Sequence, residues 1–196
     1  MMRRQFFLLP LMINALMACL AMALTNITTD QHALLAFKSQ LKLDPSHILS
    51  KNWSVSFPTG KWIGVTCSPR HQRVSALDVS GMRLSGNLPS QLGNLSFLAS
   101  LNLSSNSFHG QLPKELAQLH RLRYLDFRLN GLTGDIPFWL GLLVELRFLN
   151  LRNNSFTGTI PSSITNMSKL QVLDLSNNPL QGNIPEAVGS LFNFYP

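Results

Sequence analysis

Residues 98–121 read LASLNLSSNSFHGQLPKELAQLHR, and residues 122–145 read LRYLDFRLNGLTGDIPFWLGLLVE. The two segments place leucine, asparagine, glycine and proline at matching positions, and the pattern recurs at a step of 24 residues. Five consecutive segments follow it, and they begin at Val74, Leu98, Leu122, Leu146 and Leu170. A fixed step of this length predicts a solenoid in which each repeat stacks on the next.

The start of each repeat alternates apolar and polar residues, as a half-buried strand does. In the second repeat we expect Leu98, Leu101 and Leu103 to point inward, while Ser100 and Asn102 face solvent. Stacked repeats then form a parallel sheet along one curved face. The leucine spacing is that of leucine-rich repeats. After each strand an amide side chain can satisfy backbone groups that the bend leaves unpaired, and these residues are Asn106, Asn130, Asn154 and Asn178.

The chain opens with the features of a secretory signal. Arg3 and Arg4 precede an apolar run from Phe6 to Leu24, and small residues flank Met22. We predict a signal peptide, with a transmembrane anchor as the less favoured alternative because the run is long enough to span a bilayer. The predicted organisation is a signal peptide over 1–23, an amino-terminal cap over 24–73, the five repeats over 74–193, and the start of a truncated sixth repeat over 194–196.

The cap is needed because the first repeat would otherwise expose an apolar end. Thr29 or Asp30 is placed to cap a helix. That helix has an apolar stripe, which consists of Ala33, Leu34, Phe37 and Leu41. Asp44 and Pro45 predict the end of this helix and the start of a short second one. Three aromatic side chains are expected to cover the end of the solenoid: Trp53, Phe57 and Trp62.

The LxGxIP segment of the repeats, the sequence DQHALLAFKSQL (30–41) and the sequence KWIGVTC (61–67) occur together and in order. In this combination the chain resembles the amino-terminal part of plant leucine-rich-repeat receptor-like kinases, and within them the large immune receptors. The resemblance implies an α/β solenoid, a right-handed superhelix with parallel strands on its concave face and a helical amino-terminal cap. In such receptors a longer repeat array binds ligand outside the cell and is followed by a membrane helix and a kinase. We therefore expect this chain to be truncated.

One position in the cap departs from the pattern of this family. The family's cap carries a cysteine two residues before the tryptophan, and here that place is Gly60, ahead of Trp62. Cys67 therefore lacks the partner that the resemblance implies. Because Cys19 lies in the predicted signal, Cys67 is the one cysteine of the mature chain. A buried thiol is favoured over a reactive thiol or an intermolecular bridge.

Charge and motifs argue against nucleic-acid binding and catalysis. The formal net charge is +7, and removal of Arg3 and Arg4 leaves 14 basic residues against nine acidic ones, scattered over the repeats. The chain has no phosphate-binding glycine loop, kinase motif or nucleophile elbow. We expect no enzyme activity, cofactor or metal site. The histidines share no metal-ligand spacing and are predicted to be solvated, and they are His32, His47, His71, His109 and His120.

The predicted ligand-binding site lies at the outward positions of repeats three and four. If the register of the repeats holds, the pairs are Arg123 beside Arg147, Tyr124 beside Phe148, Asp126 beside Asn150, and Arg128 beside Arg152. Arginine offers a planar fork for carboxylates or sulfates, and aromatic rings supply rigid contact area. The alternative is a solvated sheet surface on which Asp126 neutralises the arginines. The first two repeats present small residues, namely Ser75, Ala76, Ser80, Ala99, Ser100 and Ser104.

Six sequons predict N-linked glycans in a secreted chain, at Asn26, Asn52, Asn94, Asn102, Asn153 and Asn166. Asn94 and Asn166 occupy the same repeat position, which is expected on the convex side. Asn102 is expected on the strand face, where a glycan would shield repeat two and confine a ligand to repeats three to five.

The first functional hypothesis is an extracellular recognition module of a plant receptor-like kinase, acting in defence or signalling. Its partners would be a peptide, glycan or protein ligand and a coreceptor ectodomain. It would enter the secretory pathway and reach the extracellular or apoplastic side of the plasma membrane, touching the membrane only through a missing carboxy-terminal span. The alternative is a stand-alone secreted leucine-rich-repeat inhibitor of microbial cell-wall hydrolases. A third hypothesis is a kinase whose catalytic half is absent from the chain.

Overall fold

The structure, a computed structural model, describes residues 27–45 and 47–185. The predicted signal peptide, the sequon at Asn26 and the predicted start of a sixth repeat lie outside these residues. The described chain begins with helix α1 over residues 27–39. Strand β1 (Leu41–Leu43) and the short helix α2 (Ile48–Asn52) complete the first part of the cap. Asp44 caps α2, because its two carboxylate oxygens accept the backbone N–H groups of Ile48 and Ser50.

Several expectations for the cap are wrong in detail. Thr29 and Asp30 lie inside α1, so neither caps it, and Asp30 is fully buried. Leu41 is not on the helical stripe, because α1 ends before it and Leu41 belongs to β1. Phe57 is 51% exposed and therefore does not cover the solenoid. Trp53 and Trp62 do, as predicted: both are buried, and their rings stack with centroids 5.5 Å apart.

Two sheets run along the solenoid. One sheet contains β2 (Val65–Cys67), β3 (Val74–Asp78), β5 (Ser100–Asn102), β7 (Tyr124–Asp126), β9 (Phe148–Asn150) and β11 (Val172–Asp174), in that spatial order. The other contains β1, β4 (Ser85–Asn87), β6 (Ser107–Gly110), β8 (Gly131–Asp135) and β10 (Ser155–Thr157). The repeat strands pair in parallel, whereas the cap strands β1 and β2 pair antiparallel at the ends of the two sheets.

The apolar core lies between the first sheet and the chain that returns from it. Leu98, Leu101 and Leu103 are at most 1% exposed, so the predicted inward positions are confirmed. Each of the first four repeats returns through a short 3-10 helix whose third residue is also buried. These helices are Ser90–Asn94, Lys114–Gln118, Phe138–Leu142 and Ser162–Asn166. The predicted leucine-rich-repeat solenoid is thereby confirmed in its layers and its register.

The asparagines after the strands form a ladder that ties each repeat to the one before it. Asn154 is representative: its Nδ2 donates to the carbonyl of Phe127 at 2.9 Å and to that of Leu151 at 3.0 Å, and its Oδ1 accepts the N–H of Leu132 at 3.1 Å. The other predicted members make the equivalent bonds, and they are Asn106, Asn130 and Asn178. The prediction that these amides form hydrogen bonds with backbone groups at the bend is confirmed.

Replacing Asn154 with alanine is expected to lower the free energy of unfolding by about 2 kcal/mol, because buried backbone groups of Phe127 and Leu132 lose their partner. Thermal and urea melts of the purified chain measure the loss. Asn87→Ala is the matched control, since Asn87 is exposed on β4. Equal melting curves for the two variants would show that the ladder contributes nothing.

Candidate ligand-binding face

The outward side of β3, β5, β7, β9 and β11 is the strand face, and its two aromatic residues lie together. β7 and β9 pair in parallel, with Tyr124 opposite Phe148 and Asp126 opposite Asn150. The Tyr124 and Phe148 rings stack with centroids 4.5 Å apart and planes inclined by 8°. Because neighbouring strands are separated by a similar distance, residues at one repeat position meet ring against ring. The predicted register of repeats three and four is confirmed.

Asp126 and Asn150 are not exposed, so the expectation that they face solvent is wrong. Asp126 is fully buried and Asn150 is 5% exposed. Asp126 Oδ2 accepts the Tyr124 hydroxyl at 3.2 Å and lies 3.6 Å from Arg128 Nε, while its Oδ1 accepts the Arg128 N–H at 3.1 Å. Asp126 therefore holds the Tyr124 hydroxyl from within the chain, and neither buried residue presents an exposed side chain to a ligand.

Tyr124 is held as a neutral hydrogen-bond donor. Burial raises the pKa of its phenol, and the charge of the Asp126 carboxylate and the hydrogen bond to it raise the pKa further. The ring edge is thus fixed by Asp126 and the ring plane by Phe148. A pre-organised aromatic surface loses little conformational freedom when a ligand covers it.

Four exposed arginines border the aromatic pair, as the repeat register predicts. Arg123 and Arg147 flank its amino-terminal side, and Arg128 and Arg152 follow the strands on the other side. In the described part of the chain Arg128 forms a salt bridge, to Asp126, and the other three form none. The small residues predicted for repeats one and two are half-buried, except that Ser104 is 3% exposed and so is not a surface residue.

A column of acidic and amide residues at the last position of the strands was missed by the sequence reasoning. At one repeat position the strands carry Asp78, Asn102, Asp126, Asn150 and Asp174. In every copy the side-chain Oδ1 accepts the backbone N–H two residues later, at 3.0–3.1 Å. The restriction to Asp or Asn at this position was the available signal, since these side chains close such a turn better than Ser or Thr does.

Other predicted positions are scattered over the surface. Among the described sequons, Asn94 and Asn166 are exposed at the ends of their 3-10 helices, and Asn102 donates its amide to Asp78 at 3.1 Å. Their glycosylation stays a prediction. Four of the histidines are exposed and His109 is half-buried. Within residues 27–45 and 47–185 no group of three or more metal-ligating side chains could hold a metal ion. No helix in that part of the chain has the length and apolar character needed to cross a membrane.

Two family profiles match the chain over more than half of its length. The leucine-rich-repeat N-terminal domain matches residues 27–68, and the leucine-rich repeat matches residues 97–119, 121–143, 145–167 and 169–191. Together with the observed sheets and asparagine ladder, these matches define the class of protein. The chain belongs to the leucine-rich-repeat family.

Within that family its relatives are plant receptor kinases. The chain is 45% identical over 74 residues to the LRR receptor-like serine/threonine-protein kinase EFR of Arabidopsis thaliana, which is 38% of this chain and 7% of that protein. A second LRR receptor-like serine/threonine-protein kinase of Arabidopsis thaliana is 43% identical over 99 residues, 50% of this chain and 9% of the relative. The matches therefore span less than a tenth of these relatives, and they do not cover the kinase domains.

Solved plant ectodomains have the same fold. A chain of the BIR3–SERK2 complex from Arabidopsis thaliana is 33% identical with a TM-score of 0.75, over 81% of this chain and 86% of that one. A chain of the PEPR1–AtPEP1 structure is 35% identical with a TM-score of 0.77, over 83% of this chain and 23% of that one. A third structure is that of the Arabidopsis receptor kinase HAESA in complex with the peptide hormone IDA and the co-receptor SERK1. Its matching chain is 31% identical with a TM-score of 0.64, over 83% of this chain and 32% of that one. The chain is an ectodomain-type module.

Proposed function

We propose that this chain is the ligand-recognition part of a plant receptor-like kinase and that it binds a peptide on its strand face. The observation that carries the proposal is the stacked Tyr124–Phe148 pair, bordered by exposed arginines, in a chain whose relatives are receptor kinases. The HAESA structure supports it, since that receptor kinase is in complex with the peptide hormone IDA.

The chemistry of the face suits a peptide. The two rings offer a rigid apolar platform, and arginines are among the residues most often found at the energetic centre of protein interfaces. The neighbouring repeats carry small side chains such as Ala99 and Ser100, which leave an extended backbone room to approach the strands. The module itself carries out no catalysis in this proposal.

We also propose where the module acts and what else it contacts. It would lie on the extracellular side of the plasma membrane, after export through the secretory pathway. A coreceptor ectodomain is the further partner, by analogy with the co-receptor SERK1 in the HAESA complex. The stand-alone inhibitor of cell-wall hydrolases is the weaker hypothesis, because the curated relatives are receptor kinases.

The double substitution Tyr124→Ala and Phe148→Ala is expected to weaken peptide binding at least about tenfold, because it removes the platform. The full chain, secreted and purified, is used to select binders from a library of random short peptides displayed on phage. The affinities of the selected peptides for the wild-type chain and the variant are then compared by calorimetry.

The matched control removes the same kind of apolar surface elsewhere. Phe138 and Leu142 are 73% and 54% exposed on a 3-10 helix away from the strand face, so Phe138→Ala with Leu142→Ala should leave peptide affinity unchanged. A failure to select any peptide, or equal affinity for the Tyr124/Phe148 variant, would contradict the proposed function.

A further inference from the structure

The residues that precede the strands form a second column, outside the strand face. At one repeat position the chain carries Arg73, Phe97, Arg121, Glu145 and Lys169. Arg73 Cζ lies 4.7 Å from the centre of the Phe97 ring, and Arg121 Cζ lies 4.0 Å from it. The Phe97 ring therefore holds two guanidinium groups by cation–π contact.

A pocket opens beside this column. Its volume is about 400 Å³, and its lining includes His71, Ser75, Phe97, Arg121, Arg123 and Glu145. The His71 ring lies 5.4 Å from the Phe97 ring. Arg123 connects the pocket to the strand face, because the next residue is Tyr124 of the aromatic pair. A ligand that covers the pair can thus extend a side chain into the pocket.

The pocket has an excess of positive charge. Arg121 and Arg123 form no salt bridge in the described part of the chain, whereas Arg73 is committed to Asp30. The one carboxylate of the lining, Glu145, is already bound by Lys169. The hydrogen bond from Lys169 lowers the pKa of Glu145, and the charges of Arg123 and Arg147 lower it further. An anion at this position is therefore stabilised by the charges around it.

The planar guanidinium fork matches a carboxylate, to which it can donate two parallel hydrogen bonds. Arg121 Cζ lies over the Phe97 ring, and this contact restricts the positions of the guanidinium before a ligand arrives. We infer that this pocket binds an acidic side chain of the peptide that lies on the strand face, with its carboxylate received by Arg121 and Arg123. The inference rests on the proposed function in taking a peptide as the ligand, and it adds that the peptide is acidic.

The test uses the phage-displayed library described above, with the naive library as the reference. Peptides selected on the wild-type chain are expected to be enriched in Asp or Glu at one position by about threefold or more. Arg121→Gln is expected to abolish this enrichment and to weaken a selected acidic peptide about tenfold. A matched peptide, in which Asn or Gln replaces the acidic residue, should bind the wild-type chain about tenfold less tightly than the acidic peptide does. Its affinity should be the same for the wild-type chain and the Arg121→Gln variant.

Glu145→Gln removes the one carboxylate of the pocket lining, which competes with the carboxylate of the peptide. The variant should bind the acidic peptide about threefold more tightly, a gain that a purely structural role of the pocket would not produce. Lys114→Gln is the control for net charge, since Lys114 is exposed on a 3-10 helix remote from the pocket, and it should change affinity little. Melting curves of all variants check that each is folded.

The outcomes separate the two proposals. Selected peptides that show no acidic bias, or that bind the Arg121→Gln variant as tightly as the wild type, would overturn the inference that the pocket binds an acidic side chain and leave peptide recognition in place. A selection that yields no peptide at all would overturn both.

Discussion

Replacing Asp30 with alanine is expected to lower the free energy of unfolding by about 3–5 kcal/mol, the cost of leaving a buried charge unpaired. Asp30 is fully buried, and its carboxylate accepts bonds from Arg73 Nε at 2.8 Å, Arg73 Nη2 at 2.7 Å and the Val74 N–H at 2.9 Å. Without it, the Arg73 guanidinium stays in the interior with its charge unpaired and with a hydrogen bond to Ser96 Oγ. Chemical denaturation monitored by tryptophan fluorescence measures the loss, since Trp53 and Trp62 lie in the cap.

The double variant Asp30→Ala with Arg73→Met is the decisive comparison. It removes the orphaned cation while keeping apolar volume, so it should be more stable than Asp30→Ala alone. Exposed Asp78 supplies the matched control, because Asp78→Ala removes an acidic residue that does not pair with a buried cation. The single variant Arg73→Met completes the comparison. If the losses of unfolding free energy in Asp30→Ala and Arg73→Met simply add in the double variant, the bidentate pair does not hold the cap to the first repeat.

Replacing Gly60 with cysteine is expected to stabilise the chain by about 2.5 kcal/mol through a disulfide to Cys67, which would close a short loop in the unfolded state. A Cβ added at Gly60 would lie 3.5 Å from Cys67 Cβ and 3.3 Å from Cys67 Sγ. The first distance is within the range of disulfides. The melting temperature should rise by several degrees, since each kcal/mol is worth about 2–4 °C in a chain of this size.

Two controls distinguish the bridge from a packing effect. Gly60→Ser adds a side chain of similar size without a bond, and reduction of the Gly60→Cys variant should return its melting temperature to that of Gly60→Ser. In the native chain Cys67 is half-buried, and burial followed by the charge of Asp30 raises the pKa of its thiol. The free thiol therefore stays protonated at neutral pH. An unchanged melting temperature in Gly60→Cys would show that no bridge forms.

Features that depend on the repeat step could be predicted from the sequence. Residues 24 positions apart lie at the same place on neighbouring strands. Tyr124 therefore lies beside Phe148, and each ladder asparagine lies beside the turn of the preceding repeat. Features that occur once could not be predicted in this way. The Asp30–Arg73 pair joins residues 43 positions apart across the junction of cap and repeats, and no periodicity relates them.

The burial of Asp126 also escaped prediction, for a different reason. Its repeat position faces outward in the strand, but the Tyr124 hydroxyl and the Arg128 side chain close over it. Exposure therefore depends on the rotamers of long neighbouring side chains, which the apolar pattern does not encode. The Arg121–Phe97 contact was missed because only strand positions were compared between repeats, although the same step relates these residues as well.

The column that contains Arg73 and Arg121 separates two tasks that one residue type performs. Both arginines occupy the same position of the repeat and both contact Phe97, yet one is paired with the cap and the other is open to solvent. Arg73 contributes a buried ion pair at the junction of cap and repeats, so its replacement is a question of folding. Arg121 has no salt bridge in the described part of the chain, so its replacement removes no buried ion pair and can change the surface chemistry separately.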